Sequence, residues 1–149
     1  LLQEQLQSHF DLVIHAAAVS DYTVHSIEVN GTTLSNHEDS KISSDSRLTL
    51  HLQQGEKLLG QLKDFSSNPD LKVLAFKLTQ TTQVNEQVAA VKKLFQNNSA
   101  DWVIHNDIFE IQNNQHRFYP YNKDLAKEVP LESAVALAHW IGGPNGIMS

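Results

Sequence analysis

The stretch LVIHAAAVSDY, Leu12 to Tyr22, sets a carboxylate just past a run of alanines at the end of an apolar segment. Small side chains at Ala16, Ala17 and Ala18 let a ligand press against the backbone and use its amides as donors, while Asp21 accepts from a ligand hydroxyl or amide. The same residues also suit a plain structural role, with alanines allowing close helix packing and Asp21 capping a turn. A second polar cluster, Asn106-Asp107, closes DWVIHND and by default forms a turn. By default, too, Lys41 is a solvated lysine of a polar stretch, Phe76 in KVLAFKL is core, and Lys92 and Lys93 favour the negative pole of a helix end. The eight histidines show no His-x-x-x-His spacing and no bracketing carboxylates, so no metal site is expected. His15 and His105 hold similar places near strand ends and read as packing. The chain lacks a G-x-S-x-G elbow, a Walker loop and a G-x-G-x-x-G fingerprint. It also has no cysteine, which removes disulfides, thiolate zinc and a cysteine nucleophile together.

The elements that must position these residues follow from periodicity. Leu1, Leu2, Leu6 and Phe10 sit near helical spacing, so the chain begins inside a helix and reads as a fragment. Asp11 to Val19 reads as a strand apolar on both faces, hence central in a parallel sheet. Tyr22 to Arg47 reads as a long loop holding a hairpin at Asn30-Gly31, and a loop of that length is functional or mobile. Leu48, Leu50 and Leu52 alternate with polar residues as in a half-exposed strand, and Leu58, Leu59 and Leu62 mark a helix within Gly55 to Phe65. Lys72 to Leu78 and Asp101 to Asp107 are further apolar strands, separated by a helix from Val84 to about Asn97. His116 to Tyr121 reads as an antiparallel edge strand and Leu131 to Ile141 as a closing helix.

Strands alternating with helices predict an α/β fold: a three-layer, Rossmann-like, mostly parallel sheet with an antiparallel edge hairpin and a long mobile loop. Residues 1–141 form one such domain and 142–149 a flexible tail. Ligands of open α/β sheets bind beyond the carboxyl ends of the strands, here Ala16 to Asp21, Phe76 to Thr79 and His105 to Asp107.

Composition narrows the class. A chain of 149 residues with net charge −6 and pI near 5.7 has no global basic field, which disfavours nucleic acid. No apolar run approaches the roughly 18 residues that span a bilayer, and Leu1 to Gln5 lacks the basic start of a signal peptide. The expected location is cytoplasmic, with no membrane partner.

Four stretches in order, AAAVSDY (Ala16 to Tyr22), KISS (Lys41 to Ser44), AFKL (Ala75 to Leu78) and ADWVIHND (Ala100 to Asp107), resemble the phosphopantothenate–cysteine ligase family, also called phosphopantothenoylcysteine synthetase, in its free-standing streptococcal type. The resemblance is close over Asp11 to Asp107. It implies an enzyme that joins 4'-phosphopantothenate to cysteine in coenzyme A synthesis, using CTP with magnesium, through an acyl-cytidylate and as a homodimer. Ala17, Ala18 and Asp21 match the family segment that holds phosphopantothenate. Phe76, Lys93 and Asn106 match nucleotide contacts, and Lys41 matches a catalytic lysine on a loop that closes over the reacting phosphate. The chain departs from the family in having no glycine-rich segment before Leu1, which leaves activity of this stretch by itself open, and in carrying Asn97 where relatives have a second lysine. A non-catalytic ligand-binding or assembly domain that kept the sheet is the alternative reading.

Overall fold

The computed structural model describes residues 2–34, 41–144, 146 and 147. In chain order the elements are α1 (Leu2–Gln5), β1 (Leu12–His15), β2 (Tyr22–Val29), β3 (Thr32–Thr33), β4 (Leu48–Gln54), α2 (Leu62–Phe65), β5 (Lys72–Thr79), α3 (Val84–Lys92), β6 (Trp102–Asp107), α4 (Ile108–Gln112), β7 (Tyr119–Tyr121) and α5 (Ala134–Gly142). Where the sequence suggests one continuous domain, the chain divides into two compact units, Leu1–Ala17 with Leu58–Ser149, and Ala18–Lys57.

The larger unit is built on a four-stranded sheet in the order β1-β5-β6-β7. The strands β1, β5 and β6 run parallel, and β7 closes the edge antiparallel, with His105 opposite Tyr119. In the central strand β5, Val73, Leu74 and Ala75 are all fully buried, as expected for a strand covered on both faces. On one face Ala75 and Val103 pack with Val91 of α3 and with Tyr119 and Tyr121; on the other Leu74 and Ile104 pack with Leu137 of α5. Full burial of a side chain such as Ile104 contributes roughly 1.5–3 kcal/mol. Helices on both faces make the three layers that the alternating pattern predicts.

Three expectations change in this unit. The strand read at Asp11 to Val19 is shorter, ending at His15, and among the described residues it lies at the sheet's edge, with Ile14 48% exposed. The helix read to Asn97 ends at Lys92 and tightens into a 3₁₀ turn, Lys93–Asn98, because Asn97 and Asn98 adopt positive φ, a conformation that asparagine tolerates and a helix does not. In the stretch read as a flexible tail, Ile147 is only 3% exposed and packs in the cluster of Leu74, Ile104 and Leu137, because an apolar side chain within reach of a core is buried there. Residues 1, 145, 148 and 149 lie outside the described residues.

The smaller unit is an antiparallel sheet in the order β3-β2-β4. Most of what reads as a long loop from Tyr22 is therefore strand, since β2 runs eight residues and finds its main partner in β4, a pairing no local signal announces. The part of the expected mobile loop at residues 35–40 lies outside the described residues. The hairpin at Asn30-Gly31 is as read: both residues have positive φ, the requirement of a two-residue turn that follows the twist of its strands. Register puts Val24 opposite Leu52, Ile27 opposite Leu50 and Val29 opposite Leu48, so the apolar side chains share one face. The reverse face is polar, with His51 Nε2 2.9 Å from Glu28 Oε1. Leu48, Leu50 and Leu52, read as half-exposed by burial of one face, are instead 50–57% exposed on that apolar face, with Val24 at 48% and Tyr22 at 59%.

Candidate functional site

The carboxyl ends of β5 and β6 are joined by side chains as well as by the ladder. Thr79 at the end of β5 stands opposite Asp107 at the end of β6, and His105 lies two residues earlier on the same face as Asp107. The Thr79 hydroxyl donates to Asp107 Oδ2 at 2.5 Å, and its oxygen lies 2.8 Å from His105 Nε2. A hydroxyl has one proton, and here it goes to the carboxylate, so His105 must donate from Nε2 and keep a bare lone pair on Nδ1. Among the described residues that Nδ1 is buried without a partner, which disfavours a second proton on the ring. Asp107 also caps α4 by accepting from the Phe109 amide at 2.9 Å, and it accepts from the Thr81 amide at 3.2 Å.

Protonation follows from these contacts. Burial works to raise the Asp107 pKa, but the Thr79 hydroxyl and the amides of Phe109 and Thr81 hold it below the usual carboxylate range. Burial pushes His105 below the ordinary histidine value, and Lys127 adds to this against the weaker pull of Asp107 and Glu110. Lys127 Nζ sits 3.7 Å from the centre of the Tyr119 ring, whose hydroxyl donates to Glu110 at 2.8 Å. Because the folded state resists protonating His105 and the unfolded chain does not, this residue stabilises the fold above the ordinary histidine pKa, and the contribution is lost as pH falls below it. The thermal midpoint should therefore drop between about pH 7 and pH 5, and less steeply in His105→Gln, whose amide keeps a donor but does not titrate.

Asn106 points to the opposite sheet face from His105 and Asp107, beside Leu78 of β5 and on the face that carries Phe76 and Ile104. It is half-buried, and among the described residues its side chain has no hydrogen-bond partner. Phe76 is half-buried against the cluster of Leu74, Ile104 and Leu137, a core-edge position that leaves part of the ring accessible. Phe76 and Asn106 are thus brought to one face near the carboxyl edge. Lys93 is not brought to them: it is exposed, at the start of the 3₁₀ turn that leads back to the amino end of β6, after a helix packed on the other face through Val91.

Among the described residues, the other sequence-selected side chains are exposed and make no hydrogen bond or ion pair. Ala16, Ala17 and Ala18 follow β1 and are exposed. In the smaller unit Asp21 holds Gly55 through its backbone carbonyl at 2.8 Å, while among the described residues its exposed carboxylate caps no turn. Lys41, in the same unit, is exposed.

Residues 2–142 match the family model described as the DNA/pantothenate metabolism flavoprotein C-terminal domain. The chain belongs to this family. The coenzyme A biosynthesis bifunctional protein CoaBC of Thermococcus kodakarensis is 26% identical over 121 residues, which cover 81% of this chain and 27% of that protein. The CoaBC of Methanocaldococcus jannaschii is 28% identical over 104 residues, 70% of this chain and 23% of that one. The crystal structure of the DNA/pantothenate metabolism flavoprotein from Streptococcus pneumoniae has a similar fold, with a TM-score of 0.68 at 26% identity over 92% of this chain and 63% of that one. The chain thus spans about a quarter of the length of these CoaBC relatives. The family is the synthetase region of CoaBC, the one that the ordered motifs resemble, and the mostly parallel, Rossmann-like sheet is its fold. Within this flavoprotein C-terminal domain, reading residue types alone passes over Thr79, His105 and Asp107. The available signal is three polar residues at inward positions of otherwise apolar central strands.

Proposed function

We propose that this domain serves phosphopantothenate–cysteine ligation in coenzyme A synthesis, with CTP, brought in as its magnesium complex, as the activating nucleotide. The observation that carries the reading is the Asn106 amide, without a partner among the described residues, half-buried at the carboxyl edge of the sheet and within the ADWVIHND motif that resembles a nucleotide contact. A solved relative gives support: a Cab2 mutant in complex with phosphopantothenate-cysteine has a TM-score of 0.51 at 18% identity, over 83% of this chain and 42% of that one.

In this reading the phosphopantothenate carboxylate attacks the α-phosphorus of CTP, and the bond to the bridging oxygen breaks to release pyrophosphate. The cysteine amine then attacks the acyl carbon, loses a proton and expels CMP. Two anions meet in the first step, so a cation placed at the α-phosphate lowers its barrier, the role given to Lys41. Ala17 and Ala18 leave clearance for the pantothenate arm, Asp21 accepts from its hydroxyl or amide, and Phe76 and Asn106 hold the nucleotide. Lys93, which the resemblance makes a nucleotide contact, lies exposed and apart from Phe76 and Asn106. The protein acts as a homodimer in the cytoplasm; among the described residues no helix is long and apolar enough to cross a membrane.

The test is pyrophosphate release by the full-length protein with CTP and 4'-phosphopantothenate, followed by CMP release when cysteine is added. ATP in place of CTP decides the nucleotide. Binding of phosphopantothenate without pyrophosphate release from either nucleotide would replace the ligase with a binding domain.

A further inference from the structure

We infer that Thr79, His105 and Asp107 form a positioning chain that holds the Asn106 amide in the orientation in which it meets the nucleotide. The inference rests on the reading of Asn106 as a nucleotide contact and adds three residues that do not touch the substrate themselves.

The geometry is specific. Asn106 lies between two residues whose side chains are both tied, on the reverse face of the sheet, to one hydroxyl on the neighbouring strand. His105, Asp107 and Thr79 are 1%, 3% and 8% exposed, so water does not replace a contact that is lost. Every proton of the chain is assigned: Nε2–H of His105 to Thr79, the Thr79 proton to Asp107, and the amides of Thr81 and Phe109 to the two Asp107 oxygens. Tyr119 and Tyr121 of β7 bound His105 from the far side, with ring centroids at 5.9 and 6.3 Å, so the ring cannot swing outward without disturbing the core. Backbone rotation at Asn106 is therefore restrained from both neighbours, while among the described residues its own amide has no partner and is open to a ligand.

Paired substitutions test the chain. Thr79→Val keeps the shape and removes the hydroxyl, whereas Thr79→Ser keeps the hydroxyl; His105→Leu removes the donor, whereas His105→Gln retains one. Expected are a fall in kcat of about tenfold or more in Thr79→Val and His105→Leu, with KM for phosphopantothenate within about twofold, and near-complete rescue in Thr79→Ser and His105→Gln. The acid limb of the kcat profile should also move to higher pH in Thr79→Val, because Asp107 loses a donor to its ionised form. A kcat within about twofold of wild type in both disruptive variants, or equal losses in the disruptive and conservative members of each pair, overturns the inference.

A readout that needs no turnover separates this from failure of the ligase reading. The Asn106 side-chain amide signals in a nitrogen-15 NMR spectrum, assigned by their loss in Asn106→Ala, should shift or broaden in Thr79→Val and stay in place in Thr79→Ser. If the wild type releases no pyrophosphate, the ligase reading fails and these signals still decide the positioning. If Thr79→Val does not fold, the His105→Leu and His105→Gln pair is read by the same signals. Unmoved Asn106 signals in the disruptive variants refute the chain.

Discussion

Asn106→Ala should lower the rate of pyrophosphate release from CTP and phosphopantothenate by at least about tenfold, about 1.4 kcal/mol of transition-state stabilisation. The side chain has no partner in the fold among the described residues, so its removal leaves no protein group unsatisfied. The thermal midpoint should consequently stay within a few degrees of wild type. What is lost is a side-chain amide on the sheet face that carries Phe76, and a hydrogen bond to a charged group is worth about 1.5–3 kcal/mol, enough for a fall of at least about tenfold. Asn106→Asp is the sharper form of the test. It preserves shape and places an anion beside a polyphosphate, so it should be slower than Asn106→Ala. Lys41→Ala should lose at least as much as Asn106→Ala, through loss of the cation at the α-phosphate, again with little change in stability because Lys41 is exposed. These rates are read at saturating CTP in a coupled pyrophosphate assay. Rates within twofold of wild type in both alanine variants would remove Asn106 and Lys41 from the site.

The contrast between these two residues and the Thr79 chain shows where sequence reading succeeds. Strands β5 and β6 were legible because a strand buried on both faces must be apolar almost without interruption, and KVLAF and DWVI are. The Asn-Gly turn was legible because positive φ at two adjacent positions admits few residue types. By contrast, β2 was hidden: its eight residues are mixed in character, and its partner β4 is drawn from beyond the residues of its own hairpin. Likewise, the edge position of β1 depends on which strands flank it and not on its own composition. At the site, residue type and position marked only the strand ends that hold Asn106, Phe76 and Asp21, and the roles given to these residues come from the family resemblance. His105, by contrast, reads as packing and Asp107 as a turn former, because each is explained singly by a structural role. Only the 2.5 and 2.8 Å contacts through Thr79 make them one unit. Lys93, whose basic charge fits a nucleotide, stands exposed at the start of the 3₁₀ turn that follows α3, apart from the sheet face that carries Phe76 and Asn106.

Leu50→Glu should convert a dimer into a monomer, read by sedimentation equilibrium or light scattering. The apolar face of the β3-β2-β4 sheet leaves Tyr22, Val24, Leu48, Leu50 and Leu52 about half exposed while the reverse face is polar, an alternation that makes sense only if something covers the apolar side. Covering the remaining half of each side chain gains about 1 kcal/mol, given roughly 1.5–3 kcal/mol for full burial. Two carboxylates, one from each protomer by the symmetry of a two-fold interface, should weaken the dimer by at least about a hundredfold. Thr49→Glu, on the reverse face of the same strand, is the control and should leave the dimer intact. A wild-type protein that is monomeric at micromolar concentration, or a Leu50→Glu variant as dimeric as wild type, would remove this face as the interface. Loss of the dimer with Leu50→Glu but not Thr49→Glu would explain why a strand whose leucines are about half exposed keeps three of them on one side.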